Sequence, residues 1–225
     1  MKYIVYSANI GGYDLFSKPV VYDKNVRYIL FTDNKHFRSD VWEVQHIDFL
    51  PEMSNRKKSR YIKINPHLVL PKHDVSIWID HCFKPKFNNV EVLIKNIGFT
   101  DNDIMIYKHS WRSCTYDESI EVLKQKLDSK TIVSLQMEKY LMDGFPKKYG
   151  LFETGVIFRR NNQTINDLNK FWWSELNQGS ERDQLSLMYS SWKKSVKINP
   201  INYGNSCYDN PFLDKKIKHQ VKIKI

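Results

Sequence analysis

Asp80 and His81 close the apolar run "VSIWIDHCF" (75–83), and a carboxylate beside an imidazole suits a divalent cation that bridges phosphates, such as Mn²⁺ or Mg²⁺. Cys82 follows, a thiol that a hard cation does not choose. The competing reading is a strand that leaves the core, with His81 as a hydrogen-bonding strand-end residue. Upstream, Arg56, Arg60 and Lys63 in "SNRKKSRYIKIN" are spaced i, i+4, i+7 and share one helix face. Such a stripe can hold a diphosphate, because guanidinium binds phosphate oxygens in pairs. It can equally be a solvated basic face. His67 would extend the stripe if the helix survived Pro66, and Tyr61, Ile64 and Leu68 lie on another face that can pack inward.

Two further carboxylates have the chemistry of a catalytic base. Glu153 opens "ETGVIFRR", where Gly155 would let a substrate approach the backbone closely. Asp183 in "SERDQLSLMY" stands three residues after Ser180, the spacing of a capping box. A carboxylate at a helix N-terminus also stays ionised, ready to act as base or nucleophile. In "KHSWRSCTYDE", His109, Arg112 and Glu118 surround Cys114 in a loop between strand and helix, and Thr115 and Glu118 again have capping-box spacing. The chain has no serine-hydrolase elbow, no P-loop and no GxGxxG; the paired glycines of "NIGGYD" lack the dinucleotide spacing.

The elements that must position these residues are legible as periodic runs. "KYIVYSA", "VRYILFTDN", "VWEVQHID", "DVSIWID", "DIMIYKH", "ETGVIFRR" and a short "SVKINPI" read as strands. Helical stretches lie between them: "SNRKKSRYIKIN" with Ser54 as N-cap, "NNVEVLIKNI", "TYDESIEVLKQKL", "TIVSLQMEKYLMDG" ending on a glycine, "NDLNKFWWSEL" and "RDQLSLMYSSWKK". Their alternation predicts an α/β fold with a three-layer, mostly parallel central sheet. Such sheets bind ligands at the carboxyl ends of their strands. Ala8 and Asn9, Asp33 and Asn34, and Asp80 and His81 are therefore expected to share one polar cleft.

Bulk properties bound the function. The chain has 225 residues, 41% hydrophobic and 14% aromatic, which describes a globular protein with a real core. A formal charge of +10 favours an anionic partner. The three cysteines form no CxxC pair and imply neither a zinc knuckle nor a disulfide framework, so a reducing compartment is expected. With no signal-peptide pattern and no membrane-length apolar run, the expectation is a cytoplasmic protein. One domain, 1–225, is expected, and the absence of repeats and linkers agrees with it.

The runs "YSANIGGYD", "RYILFTDN", "NRKKSRYIKINPHLVLP" and "SIWIDHCF", followed in order by "KHSWRSCTYDE", "GFPKKYGLFETGVIFRRN" and "FWWSELNQGSERDQLSLMY", resemble a glycosyltransferase-like family, formerly a domain of unknown function. It includes plant proteins of mucilage-polysaccharide synthesis and turgor regulation. The resemblance covers roughly residues 3–195 and implies a GT-A-like nucleotide-sugar fold. It implies a nucleotide-sugar half over 1–110, an acceptor or catalytic half over 111–200 and a basic tail over 201–225. Asn9, Tyr13 and Asp33 would line the nucleotide, Arg60 and Lys63 would face the phosphates, and Asp80 would stand at the metal ligand of an Asp-x-Asp whose second Asp is Cys82 here. His219 would complete the metal shell, and the "RDQ" element points to Asp183 as the catalytic carboxylate. The implied reaction moves a hexose from a nucleotide sugar to a glycan, a lipid-linked saccharide or another hydroxyl acceptor, with Asp183 first and Glu153 second as the carboxylate. The Lys-rich tail would contact an anionic membrane from the cytoplasmic side. The rivals are a nucleic-acid binder, which the core-like placement of the aromatics opposes, and a ceramidase-like hydrolase, for which no nucleophile–base pair is evident.

Overall fold

The computed structural model describes residues 1–48, 50 and 52–214. In chain order the elements are β1 (Tyr3–Asn9), β2 (Arg27–Thr32), β3 (Glu43–His46), α1 (Asn55–Ile64), α2 (Pro66–Val69), β4 (Val75–Ile79), β5 (Lys84–Pro85), α3 (Val90–Ile97), β6 (Ile104–Lys108), α4 (Thr115–Lys124), α5 (Lys130–Met142), β7 (Phe152–Arg160), α6 (Gln163–Gln178), α7 (Asp183–Lys193), β8 (Asn199–Pro200) and β9 (Leu213–Asp214). Seven strands form one sheet in the order β3-β2-β1-β4-β7-β6-β8. Every strand of it runs parallel except β7, which lies antiparallel between β4 and β6. The α/β class and the mostly parallel sheet are as the alternating pattern predicts.

Side chains alternate across the sheet, so each strand feeds two cores. On one face Ile4, Tyr6, Ile29, Trp78, Ile106 and Ile157 pack with residues of α1, α4, α5, α6 and α7. On the other, Val5, Leu30, Ile77, Met105 and Phe158 pack with α3 and with the short β5–β9 pair. The result is three layers, with most of the helical mass on the face that carries α1 and α7.

Several local expectations fail for identifiable reasons. Ser54 does cap α1, accepting the Lys57 N–H. The two capping boxes do not form. Thr115 is the first residue of α4 rather than its cap, and Glu118 accepts the Arg112 guanidinium instead. Ser180 donates to Asp128, and Asp183 turns inward to two cations. In both cases a charge-assisted contact replaces a weaker one to a backbone N–H. The basic helix ends at Asn65, so His67 sits on the separate turn α2, and Leu68 is exposed rather than packed inward.

Candidate functional site

The carboxyl ends of β1 and β4 and the beginning of β7 meet at one edge of the sheet. Because β7 runs opposite to its neighbours, it delivers its first residues to the same edge where they deliver their last. Helices α1, α4 and α7 stand beside that edge and close a cleft of about 550 Å³. Its walls include Ala8, Asn9, Tyr13, Arg56, Arg60, Asp80, His81, His109, Arg112, Glu153, Gly155 and Asp183, so most of the residues singled out from sequence meet here.

Lys63 joins the two halves of the site. Its side chain is fully buried, yet its ammonium lies 2.8 Å from Asp183 Oδ2 and 3.0 Å from Asp80 Oδ1. Asp183 also faces Arg60 Nε at 3.3 Å. Burial alone would raise the Asp183 pKa, but Arg60 and Lys63 overcome it and hold the carboxyl well below the usual range. Burial likewise opposes the charge on Arg60, and Asp183 and Asp80 raise its pKa against that cost. Beside that ion pair, Asp80 Oδ1 accepts a hydrogen bond from Trp78 Nε1 at 2.7 Å. Its Oδ2 faces Gly155, where an added Cβ would lie 3.6 Å away and would also press on Phe83 and Cys207.

Glu153 has a different environment. Oε1 accepts the Ser110 hydroxyl at 2.8 Å, and Oε2 accepts the Cys207 N–H at 3.2 Å and thiol at 3.0 Å. Burial and the neighbouring Glu153 raise the Cys207 pKa, so the thiol keeps its proton and remains a donor. Sequence patterns do not reveal this clamp, since Ser110 and Cys207 lie 43 and 54 residues from Glu153.

His81 is built into the fold. The Ser17 N–H donates to Nε2 at 3.3 Å, which places the proton of the neutral ring on Nδ1, 3.5 Å from Ser7 Oγ. Burial lowers its pKa to about 4, so the ring is neutral at physiological pH. It pins the loop between β1 and β2, and the Asn9 side chain pins the same loop by exchanging hydrogen bonds with the Asp14 backbone. Asp33 accepts the Gly11 N–H and secures the glycine turn without lining the cleft. His109 Nδ1 accepts the N–H groups of Trp111 and Arg112, burial lowers its pKa, and Arg112 is paired with Glu118 at 2.5 Å. Arg56 reaches the Leu127 carbonyl at 3.1 Å from the cleft wall.

Arg182 is a cleft residue that the sequence reading missed. It caps α7, and its buried Nε has no hydrogen-bond partner among the described residues. The signal was present: Arg182 belongs to the same "RDQ" element that drew attention to Asp183.

The described residues do not fit a divalent cation. They contain no cluster of three His, Cys, Asp or Glu side chains that could hold one. Lys63 occupies the approach to Asp80 Oδ1, Ser110 and Cys207 occupy Glu153, and Cys82, in the third position after Asp80, is buried. His219, expected as the other ligand, and the tail beyond residue 214 lie outside the described residues. No described helix is long and apolar enough to cross a membrane.

The family model for the TOD1/MUCI70, glycosyltransferase-like domain matches residues 1–219. No curated protein matches the chain. Among solved structures, the WbbM bifunctional glycosyltransferase in its apo form is similar, at 14% identity and a TM-score of 0.45. That alignment covers 90% of this chain and 39% of the WbbM chain, so this chain spans about two fifths of that protein.

Proposed function

The chain belongs to the TOD1/MUCI70 glycosyltransferase-like family, and from that premise we propose that it transfers a hexose from a nucleotide sugar to a hydroxyl of a glycan or lipid-linked saccharide. The observation that carries the reading is the convergence, in one cleft at the carboxyl edge of the sheet, of a guanidinium-bearing helix face with two carboxylates, one held by cations and one by neutral donors.

In this reading Arg56 and Arg60 face the diphosphate, where fixed cations stabilise the charge that builds on the leaving group. Asp183 holds Arg60 and Lys63 in place. Its depressed pKa makes it a weak base, so its contribution is to orient the cations. Glu153 accepts from neutral donors only, and it is the carboxylate assigned to take the proton of the acceptor hydroxyl. Asp80 Oδ2, across from Gly155, accepts a hydroxyl of the donor. In the same reading His109 and Arg112, which also line the cleft, serve the acceptor.

The test is a thermal-shift panel of UDP-, GDP-, CMP- and dTDP-sugars. A donor at a hundred times its Kd stabilises the fold by about 2.7 kcal/mol, which for a chain of this size raises Tm by roughly 5–10 °C. A panel in which no nucleotide sugar moves Tm removes the donor reading.

A further inference from the structure

We propose that Lys63, buried behind the cleft wall, is the resident cation at Asp80 and that Arg182 completes a guanidinium set begun by Arg56 and Arg60, so that the diphosphate of the donor is bound without a divalent metal ion. The inference rests on the donor reading above and specifies how that site meets its substrate.

The first observation is the position of Lys63. A fully buried ammonium persists only where carboxylates compensate its lost hydration, and Asp80 and Asp183 do so at 3.0 and 2.8 Å. Its Nζ also stands over the Trp78 ring, 5.3 Å from the centroid. The backbone fixes it further, since the Lys63 carbonyl accepts the Tyr6 hydroxyl at 2.7 Å. A divalent cation on Asp80 Oδ1 would share that oxygen with the ammonium and repel it at close range. The ammonium thus already takes the place beside Asp80 Oδ1, and a metal ion would have only Oδ2, which faces Gly155, with no cluster of three His, Cys, Asp or Glu among the described residues to complete its shell.

The second observation is the unmet donor. A buried guanidinium N–H without a partner is costly, and an anionic oxygen entering the cleft would satisfy it. Arg182 Nε is such a group. Arg60 Nε is another: it is ion-paired with Asp183 at 3.3 Å but lacks hydrogen-bond alignment. Most carboxylates of the cleft are already matched. Lys63 and Arg60 answer Asp80 and Asp183, and Arg112 answers Glu118. Glu153 is held by Ser110 and Cys207, and Glu121 by Gln125. Arg56 and Arg182 form no direct ion pair among the described residues: Arg56 donates to the Leu127 carbonyl and the Arg182 charge helps to depress the Asp183 pKa. That leaves these two guanidinium groups of the cleft wall to meet the ligand.

Calorimetry on the whole chain with UDP, GDP, CDP and dTDP, each in EDTA and again in Mn²⁺, tests this. The expected result is one nucleotide whose Kd differs less than threefold between the two conditions. Arg182→Gln should weaken it at least tenfold in both. Lys63→Met should lose affinity in EDTA and recover part of it with Mn²⁺, because Asp80 is then released. Binding of the wild type that appears only with Mn²⁺, or an Arg182→Gln variant that binds as the wild type does, overturns the inference and leaves the donor reading standing. Binding of no nucleotide in either condition overturns both. If Lys63→Met does not fold, the wild-type comparison and Arg182→Gln still decide.

Discussion

Asp183 and Glu153 are both buried carboxylates on the same cleft, and their neighbours give them opposite chemistries. Asp183 is bound to two cations, and protonating it would leave Arg60 without its ion-pair partner and Lys63 with Asp80 alone. Glu153 is bound to a hydroxyl, a thiol and two backbone N–H groups, all of them neutral donors. Substitution should separate the two roles. Asp183→Asn breaks a buried ion network and is expected to cost about 3–5 kcal/mol in urea-unfolding stability. Glu153→Gln keeps the shape and the Ser110 contact while removing the base, and kcat is expected to fall about 10²–10⁴-fold with donor Kd nearly unchanged. A Glu153→Gln enzyme with wild-type kcat would send the search for a base elsewhere. Asp80, His81 and Asp183 were all visible in the sequence as polar residues at element ends. That Asp183 would find Lys63, 120 residues away, was not, because spacing along one helix says nothing about which strand end it faces.

At the scale of elements, the strands were legible because β-branched and aromatic runs announce them. The sense of β7 was not, since an antiparallel strand buried on both faces has the same composition as a parallel one. That one reversal carries Glu153 to the cleft. The loop from β1 to β2 shows the reverse case, where the paired glycines of "NIGGYD" are a local signal for the tight turn that forms. The "NIGG" turn places Gly11 and Gly12 at φ of 65° and 61°, and a Cβ on Gly11 would fall 2.1 Å from the Asn55 side chain at the start of α1. Gly12 has open space around it. Alanine at Gly12 should therefore cost only the left-handed backbone, about 1 kcal/mol. Alanine at Gly11 should cost clearly more, and Asn55→Ala should return part of the difference. Equal costs at the two glycines, measured by urea unfolding, would mean that the loop and α1 are not in contact as described.

For the whole molecule, pH separates the histidines from the carboxylates. Burial lowers the pKa of His81 and His67 to about 4, and it lowers those of His73 and His109 as well. In the unfolded chain each would titrate near 6.5. Between pH 6.5 and 4 the unfolded state therefore takes up protons that the folded state refuses, and stability falls as pH falls. Asp183 acts with the same sign in a lower window. Its folded pKa is depressed, so its contribution is complete above about pH 4, where the unfolded carboxylate ionises, and declines only below that. The first acid-induced loss thus belongs to the histidines. Urea midpoints at pH 7.5, 6, 5 and 4.5 should fall steadily below pH 6.5, with each fully excluded histidine contributing up to about 1.4 kcal/mol per pH unit. His81→Gln should lower stability at pH 7.5, since it disturbs the contacts to Ser7 and Ser17, yet flatten the slope by about one proton's worth. A wild-type chain whose stability is flat from pH 7 to 5 would require His81 to be protonated inside the fold. Its Nε2 would then carry a proton facing the Ser17 N–H, two donors with no acceptor between them, and the hydrogen bond that this structure shows would be lost.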